Sequence, residues 1–217
     1  GPGIGAMTIL LLEEKVRLTA FEIDYGFVRV LKGLFSEYEN FCIVKGDVLK
    51  TLCSQKNLPA RIFGNLPYNS AFAIISDILE MEILPQHMVF TLQKEAAHRM
   101  VAGPGTKDYS SLSVLCTSVC DVRILFDIGS SAFWPRPRVT SSAVQLIPKK
   151  KSMSALERKD FSDFVRAAFS SRRKTLRNTL RFWIKQRSPF LDEAKIDTQL
   201  QGILEELGIE SSIRAEA

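Results

Sequence analysis

Hydrophobic and polar positions along this chain follow two rhythms. Short runs rich in β-branched and apolar residues, "VRLTAFEID" (16–24), "FCIVKGD" (41–47), "ARIFGN" (60–65) and "HMVFTLQ" (87–93), read as strands. Between them, over 5–14, 25–36 and 70–82, apolar residues recur every three to four positions, as they do on one face of a helix. The last of these places Ile74, Ile75, Ile78 and Leu79 on one face. Strand and helix in alternation predict an open, mostly parallel sheet with helices on both sides. Right-handed crossovers then carry the strand-end loops to one rim, where ligands of such sheets bind.

Past residue 110 the pattern changes. A helical segment (110–120) is followed by two strands, "VRILFDI" (122–128) and "SAVQLIP" (142–148), joined by a proline-rich connection with no helix. That arrangement predicts an antiparallel pair at a sheet edge. After the lysine triplet 149–151 no strand pattern recurs. Helical runs over 154–169, 171–186 and 195–207 describe a small all-α unit, its first helix opened by a Ser154/Glu157 capping box. The chain therefore divides at about residue 150 into an α/β unit (1–150) and a helical unit (151–217).

Charge sharpens this division. Residues 1–148 are balanced, with 14 basic and 14 acidic side chains, whereas residues 149–187 carry 13 basic against 3 acidic. The remaining thirty return to a net −5. A local positive block of this size is the electrostatic footprint of a polyanion partner, and nucleic acid is the reading it favours over a merely solvated helix face. The longest apolar runs, such as "ILLL" (9–12), fall far short of the roughly 20 residues that span a bilayer. With no signal-peptide pattern, a cytoplasmic location is expected. The four cysteines form no C-x-x-C pair and lie far in sequence from the only two histidines, so no metal site is expected. Cys116 and Cys120, one helical turn apart, read as buried small hydrophobes ahead of a redox pair.

Candidate chemistry gathers at predicted strand ends. "GPGIGA" (1–6) fits G-x-G-x-x-A, and Glu22 stands about where a dinucleotide-binding fold places its ribose-gripping acid. Gly1, Gly3 and Gly5 permit close backbone approach to a ligand at a helix N-terminus. Asp47, in "KGDVL", is placed to accept from an adenine amino group, or simply to cap a helix. These features describe an adenosine pocket and leave a nicotinamide cofactor open. "GNLPYN" (64–69) changes that, because Asn65, Leu66, Pro67 and Tyr68 form the Asn-x-Pro-Tyr pattern of enzymes that methylate exocyclic base amines. An aryl amine is a poor nucleophile, its lone pair being delocalised into the ring. An amide oxygen from Asn65 and a backbone carbonyl beside Pro67 can accept its two hydrogens and favour a pyramidal nitrogen. Proline stiffens the turn, and Tyr68 can stack on the base.

Taken together, "GPGIGA", "FEID", "GD", "GNLPYN", "QKEAAHRM", "GPGTKDYSSLSVL", "AFWPRPRV" and "FSSRRKTLRN" occur in an order and spacing that resembles the rRNA adenine N6,N6-dimethyltransferases of the KsgA type. The resemblance covers essentially the whole chain. It implies a Rossmann-like S-adenosylmethionine-dependent methyltransferase sheet, α/β in class, with a small C-terminal all-α domain. By it, Gly1 and Gly3 line the methionine end of the cofactor, Glu22 with Ile23 holds the ribose, Asp47 with Val48 holds the adenine, and Asn65 stands near both cofactor and target amine. Phe133 supplies a second aromatic face, so that a flipped adenine is sandwiched between Tyr68 and Phe133. Arg172, Arg173, Lys174 and Arg177 cover a helix end and one flank for phosphate contacts that position RNA without reading sequence. A salt bridge to acids of the catalytic domain is the structural alternative for Arg172 and Arg173.

Two departures from the family pattern stand out. "VTSSAV" (139–144) carries one residue more than the family's usual spacing, and the family's helix and first strand ahead of the glycine loop are missing from this sequence. A fragment of a longer chain is therefore expected. The implied activity is N6,N6-dimethylation of two adjacent adenines in a small-subunit rRNA hairpin. Its partners are that rRNA and the immature small ribosomal subunit, with the enzyme a monomer. The rivals are an Erm-type methyltransferase acting on large-subunit rRNA, a non-catalytic RNA-binding assembly factor of the same fold, and an NAD-dependent dehydrogenase.

Overall fold

A computed structural model describes residues 1–52, 59–67, 69–150 and 153–216. The glycine turn at its start leads into α1 (Ala6–Glu13), whose N-cap, Gly5, sits in the left-handed region at φ 89°. Only glycine suits this position. Beyond the unfavourable φ, a Cβ there would stand 2.8 Å from Phe35 Cε2 and 2.9 Å from Leu31 Cδ2. Those two side chains belong to a small core with Leu12, against which Tyr38 and Phe41 pack edge-on to Phe35 at 5.9 and 5.2 Å between ring centroids.

Strand β1 (Leu18–Glu22) pairs in parallel with β2 (Phe41–Lys45), in register from Leu18↔Phe41 to Glu22↔Lys45. The crossover is α2 (Tyr25–Leu34), N-capped by Asp24, whose carboxylate accepts from Phe27 N at 3.0 Å. A second sheet has the order β3-β4-β6-β5. In it, β3 (Arg61–Asn65) and β4 (His87–Gln93) are parallel, and β6 (Ser141–Pro148) runs antiparallel to both β4 and β5 (Cys120–Ile128). The α/β expectation holds, with the predicted antiparallel pair at one edge. The sheet is nevertheless divided: among the described residues β1 and β3 are not hydrogen-bonded to each other. What links the two sheets is α3 (Val48–Thr51), a one-turn helix the sequence reading did not resolve. Its Val48 and Leu49, with Phe21 of β1, pack against the main core.

That core lies beneath the four-stranded sheet, where Ile74, Ile75, Ile78 and Leu79 of α4 (Ala71–Glu80) meet Met88, Phe90, Leu92, Val144 and Leu146. Helix α5 (Lys94–Val101) also went unread, because only Ala97 and Met100 of its polar sequence are buried. Helix α6 (Ser111–Val119) matches its predicted span and leads directly into β5. Cys116 and Cys120 are both buried and free, and burial pushes their thiols up, that of Cys120 to about 12. Neither thiol ionises near neutrality, as a structural pair requires. The extra residue in 139–144 leaves the β4–β6 register unbroken from Met88↔Leu146 to Gln93↔Ser141. An irregularity sits instead on β5, between Ile124 and Phe126.

Three helices follow, α7 (Ala155–Ala168), α8 (Leu176–Arg187) and α9 (Glu193–Glu206). Ala168, Leu180, Ile196 and Leu200 form a separate core among them. The capping box at Ser154 and Glu157 is present. Helix α8 starts five residues later than its predicted start at 171, because Lys174 N closes a turn on Ser171 O (3.1 Å) and Thr175 takes the N-cap. Helix α7 is docked on the sheet unit by Arg158, which is buried although it has no carboxylate partner among the described residues. Its guanidinium donates instead to the carbonyls of Leu79 (2.8 Å), Met81 and Met153. The Leu79 and Met81 carbonyls lie at the end of α4, which would otherwise leave them unsatisfied at the negative pole of its dipole, and Met153 precedes α7 itself. Arg158→Met keeps the apolar stem and orphans these acceptors, so we expect a loss of about 3 kcal/mol in unfolding free energy, read as a lowered urea midpoint at unchanged slope.

Candidate functional site

Parallel pairing brings the carboxyl ends of β1 and β2 together and those of β3 and β4 together, and the predicted residues stand at these strand ends. Glu22 ends β1 and is only 6% exposed. Its Oε1 accepts from Asp24 N (2.9 Å), while Oε2 faces the glycine turn, 3.7 Å from where a Cβ on Gly1 would be. A buried acid is thus held by a backbone N–H on one oxygen and set against a side-chain-free stretch of main chain on the other. Gly3, at φ 57°, has nothing within 4 Å of its missing Cβ, so the turn is open on that side. Ile23, next to Glu22, is 69% exposed.

Strand β2 delivers Asp47 to the same end, because Gly46 N bonds to Glu22 O at 2.9 Å. Asp47 is the N-cap of α3, its Oδ1 accepting from Leu49 N at 3.0 Å. The helix-cap reading of this residue is therefore correct, and among the described residues the cap uses one carboxylate oxygen. Val48 is half-buried against the main core. Facing α3 from α4, Asp77 has its carboxyl pushed above the usual range, chiefly by burial and then by the charges of Glu80 and Asp47.

Asn65 ends β3, exposed, in register with Thr91 of β4. The Thr91 hydroxyl donates to Asn65 Oδ1 at 2.5 Å, fixing which way the amide points and leaving the second lone pair of Oδ1 available. Leu66 is buried and donates its N–H to Thr91 O (3.1 Å). The carbonyl of Pro67 accepts from Ser70 N (3.1 Å) and Ala71 N (2.9 Å), so it is committed to starting α4. Tyr68 lies outside the described residues.

Phe133 follows the short 3-10 turn Ser130–Ala132, half-buried and without an aromatic partner among the described residues. The register assigns its loop to the same rim, because Gln93, Ser141 and Ile128 are paired at the end where Asn65 and Thr91 meet. The base of that loop is tied by a network the sequence reading missed. Lys94 Nζ contacts Asp127 Oδ2 (2.6 Å), Ser142 Oγ donates to Asp127 Oδ1 (2.7 Å), and Lys94 N bonds to Thr140 O (3.0 Å). Polar residues at the ends of otherwise apolar strands, Thr91 in "VFTLQ" and Asp127 in "LFDI", were the available signal.

The proposed RNA contacts are not equivalent. Arg172 pairs with Glu216 (2.7 Å) and Arg177 with Asp197 (3.5 Å), acids of the C-terminal stretch and not of the sheet unit. Arg173 and Lys174 are exposed and make no ion pair among the described residues. Exposed pairs of this kind contribute roughly 0–1 kcal/mol, so a phosphate can displace them.

A glycine turn open to a ligand, an acid ending the first strand, a capping acid after the second and an oriented asparagine ending the third define an S-adenosylmethionine-dependent methyltransferase fold. The chain belongs to the ribosomal RNA adenine dimethylase family, which it matches over residues 1–206. It is 44% identical over 222 residues to ribosomal RNA small subunit methyltransferase A of Treponema denticola, an alignment covering all of this chain and 73% of that protein. Among solved structures, a dimethyladenosine transferase from Plasmodium falciparum superposes at TM-score 0.77 with 25% identity, over 99% of this chain and 82% of that one. The 23S rRNA methyltransferase ErmE shares the fold at TM-score 0.64 with 20% identity, over 100% and 82% of the two chains. The dehydrogenase alternative falls away with the family. No helix among the described residues is long and apolar enough to cross a membrane.

The Lys94 and Ser142 hydrogen bonds hold the Asp127 carboxyl below its usual range. A depressed folded pKa contributes stability that is present above the unfolded value, about 4, and is lost as pH falls through the folded one. We expect Asp127→Asn to be less stable than the parent at pH 7 and the gap to close progressively below about pH 4, as measured by chemical denaturation across pH.

Proposed function

We propose that this protein uses S-adenosylmethionine to dimethylate the N6 amines of two adjacent adenines in a small-subunit rRNA hairpin, during assembly of that subunit. The observation that carries the reading is Asn65 at the end of β3, its amide oriented by Thr91, in a chain of the ribosomal RNA adenine dimethylase family. The small-subunit name of the Treponema denticola relative favours that substrate over large-subunit rRNA, since the likeness to ErmE, at 20% identity, is one of fold.

When bound, S-adenosylmethionine supplies a methyl group already activated on a sulfonium. The residues of the rim fit it. Glu22 Oε2, buried and turned to the glycine turn, accepts from ribose hydroxyls, and Gly1 and Gly3 offer close main-chain approach at the methionine end. Exposed Ile23 supplies an apolar contact beside the ribose. Asp47 has its second carboxylate oxygen for an adenine amine, with Val48 beside it. On the substrate side, the amine's two hydrogens go to Asn65 Oδ1 and to the carbonyl of Leu66, since that of Pro67 is committed to α4. Accepting both draws the nitrogen lone pair out of the ring. Tyr68 and Phe133 hold the flipped base from its two faces. Catalysis then rests on positioning and on desolvating the amine, not on a strong general base.

Residues 1–150 serve as the catalytic domain, and residues 151–217 present Arg173 and Lys174 to phosphate, with Arg172 and Arg177 released from their acidic partners on binding. The protein works as a monomer in the cytoplasm.

Incubated with labelled S-adenosylmethionine, it should methylate an immature small-subunit particle and leave naked large-subunit rRNA unmodified; the reverse preference would assign it to the Erm type, and methylation of neither would support the non-catalytic reading. In the same assay we expect Asn65→Ala to abolish transfer at near-normal S-adenosylmethionine affinity. Thr91→Val should lower kcat roughly tenfold, the loss of one oriented hydrogen bond, with Thr91→Ser restoring it.

A further inference from the structure

Beside the proposed adenine site, the loop between β5 and β6 displays a tryptophan that no folding requirement accounts for. Trp134 is 93% exposed and has no ring or cation partner among the described residues. The chain's other tryptophan is treated quite differently: Trp183 packs edge-on against Phe164 at 6.0 Å and carries the Arg187 guanidinium at 4.6 Å. Phe133 has an extended backbone (φ −118°, ψ 148°), and successive side chains on extended backbone point to opposite sides. Phe133 is accordingly half-buried while its neighbour stands out in solvent.

The residues that follow share this outward presentation. Arg136 and Arg138 are exposed and make no ion pair among the described residues, unlike Arg166, Arg181 and Arg187 of the helical unit. They alternate with Pro135 and Pro137, whose fixed φ stiffens the segment. The result is a preorganised strip of one aromatic face and two uncompensated guanidinium groups, on the rim that carries Asn65. An aromatic face stacks on any base and a guanidinium pairs with any phosphate, so the strip matches unpaired RNA. The strip lacks negative charge of its own, and RNA brings a phosphate with every base that could stack on Trp134.

We infer that residues 134–138 form a second RNA contact, in which Trp134 stacks on an unpaired nucleotide flanking the target adenine while Arg136 and Arg138 hold the adjoining phosphates. This rests on the rRNA methyltransferase reading and adds to it a site that grips the neighbour of the flipped base. The contact would keep the strand open beside the target, so that the unstacking cost is met outside the catalytic pocket as well as within it.

Sole-tryptophan fluorescence tests the inference. In the full chain carrying Trp183→Phe, titration with an RNA hairpin whose loop holds two adjacent unpaired adenines should quench Trp134 emission as the hairpin binds. Trp134→Ala should weaken hairpin binding about tenfold with S-adenosylmethionine affinity unchanged, and Trp134→Phe should recover most of the loss. Arg136→Ala with Arg138→Ala should flatten the salt dependence of binding by about 1.4 in logarithmic slope. Binding by the parent protein with unquenched Trp134 and an unaffected Trp134→Ala variant would overturn this inference alone. Failure of the parent to bind or methylate the hairpin or the small-subunit particle would overturn the underlying function together with it.

Discussion

The parallel pairing of β3 with β4 governs the rim. It sets Asn65 opposite Thr91 and lets one hydroxyl fix an amide that otherwise has two nearly equivalent orientations. It also sends Leu66 into the core, which stops β3 abruptly and turns the chain outward at Pro67, whose carbonyl then starts α4. A short segment thus does three things at once: it ends a strand, begins a helix, and leaves an oriented acceptor exposed between them. The opposite edge of β4 extends the arrangement, since its pairing with β6 carries the register to Ser141 and hence to the loop bearing Phe133 and Trp134.

On the cofactor side the governing feature is a divided carboxylate. Glu22 and Asp47 each commit one oxygen to a backbone N–H nearby, Asp24 N and Leu49 N respectively. These bonds hold the acids in place, and among the described residues each uses one of the two carboxylate oxygens. The cap and ligand roles that compete in a sequence reading are therefore compatible in the fold, because a carboxylate has enough acceptor capacity for both. Behind this rim, Arg158 fastens α7 to the end of α4, which ties the helical unit to the helix that Pro67 begins.

The strands and the longer helices were legible because their apolar residues recur at the strand or helix period, as in Ile74, Ile75, Ile78 and Leu79. Helices α3 and α5 were not, the one being a single turn and the other burying only Ala97 and Met100. Helix α8 starts late because Lys174 N closes a turn on Ser171 O and Thr175 takes the N-cap, although Ser170 and Ser171 are equally good capping residues by type. The placing of Glu22, Asp47 and Asn65 at or just past strand ends was readable because they stand within dense local motifs. Thr91 and the Lys94–Asp127–Ser142 network were not, since their partners are 26, 33 and 15 residues distant and only the sheet register brings them together.

In the function proposed, an adenosine cofactor lies at Glu22 and Asp47 with its reactive end delivered to Asn65. A crystal structure of the chain with S-adenosylhomocysteine should show ribose hydroxyls on Glu22 Oε2, the adenine amine at Asp47 and the sulfur directed to Asn65. A nucleoside ordered elsewhere, with Glu22 and Asp47 keeping only their backbone partners, would contradict it.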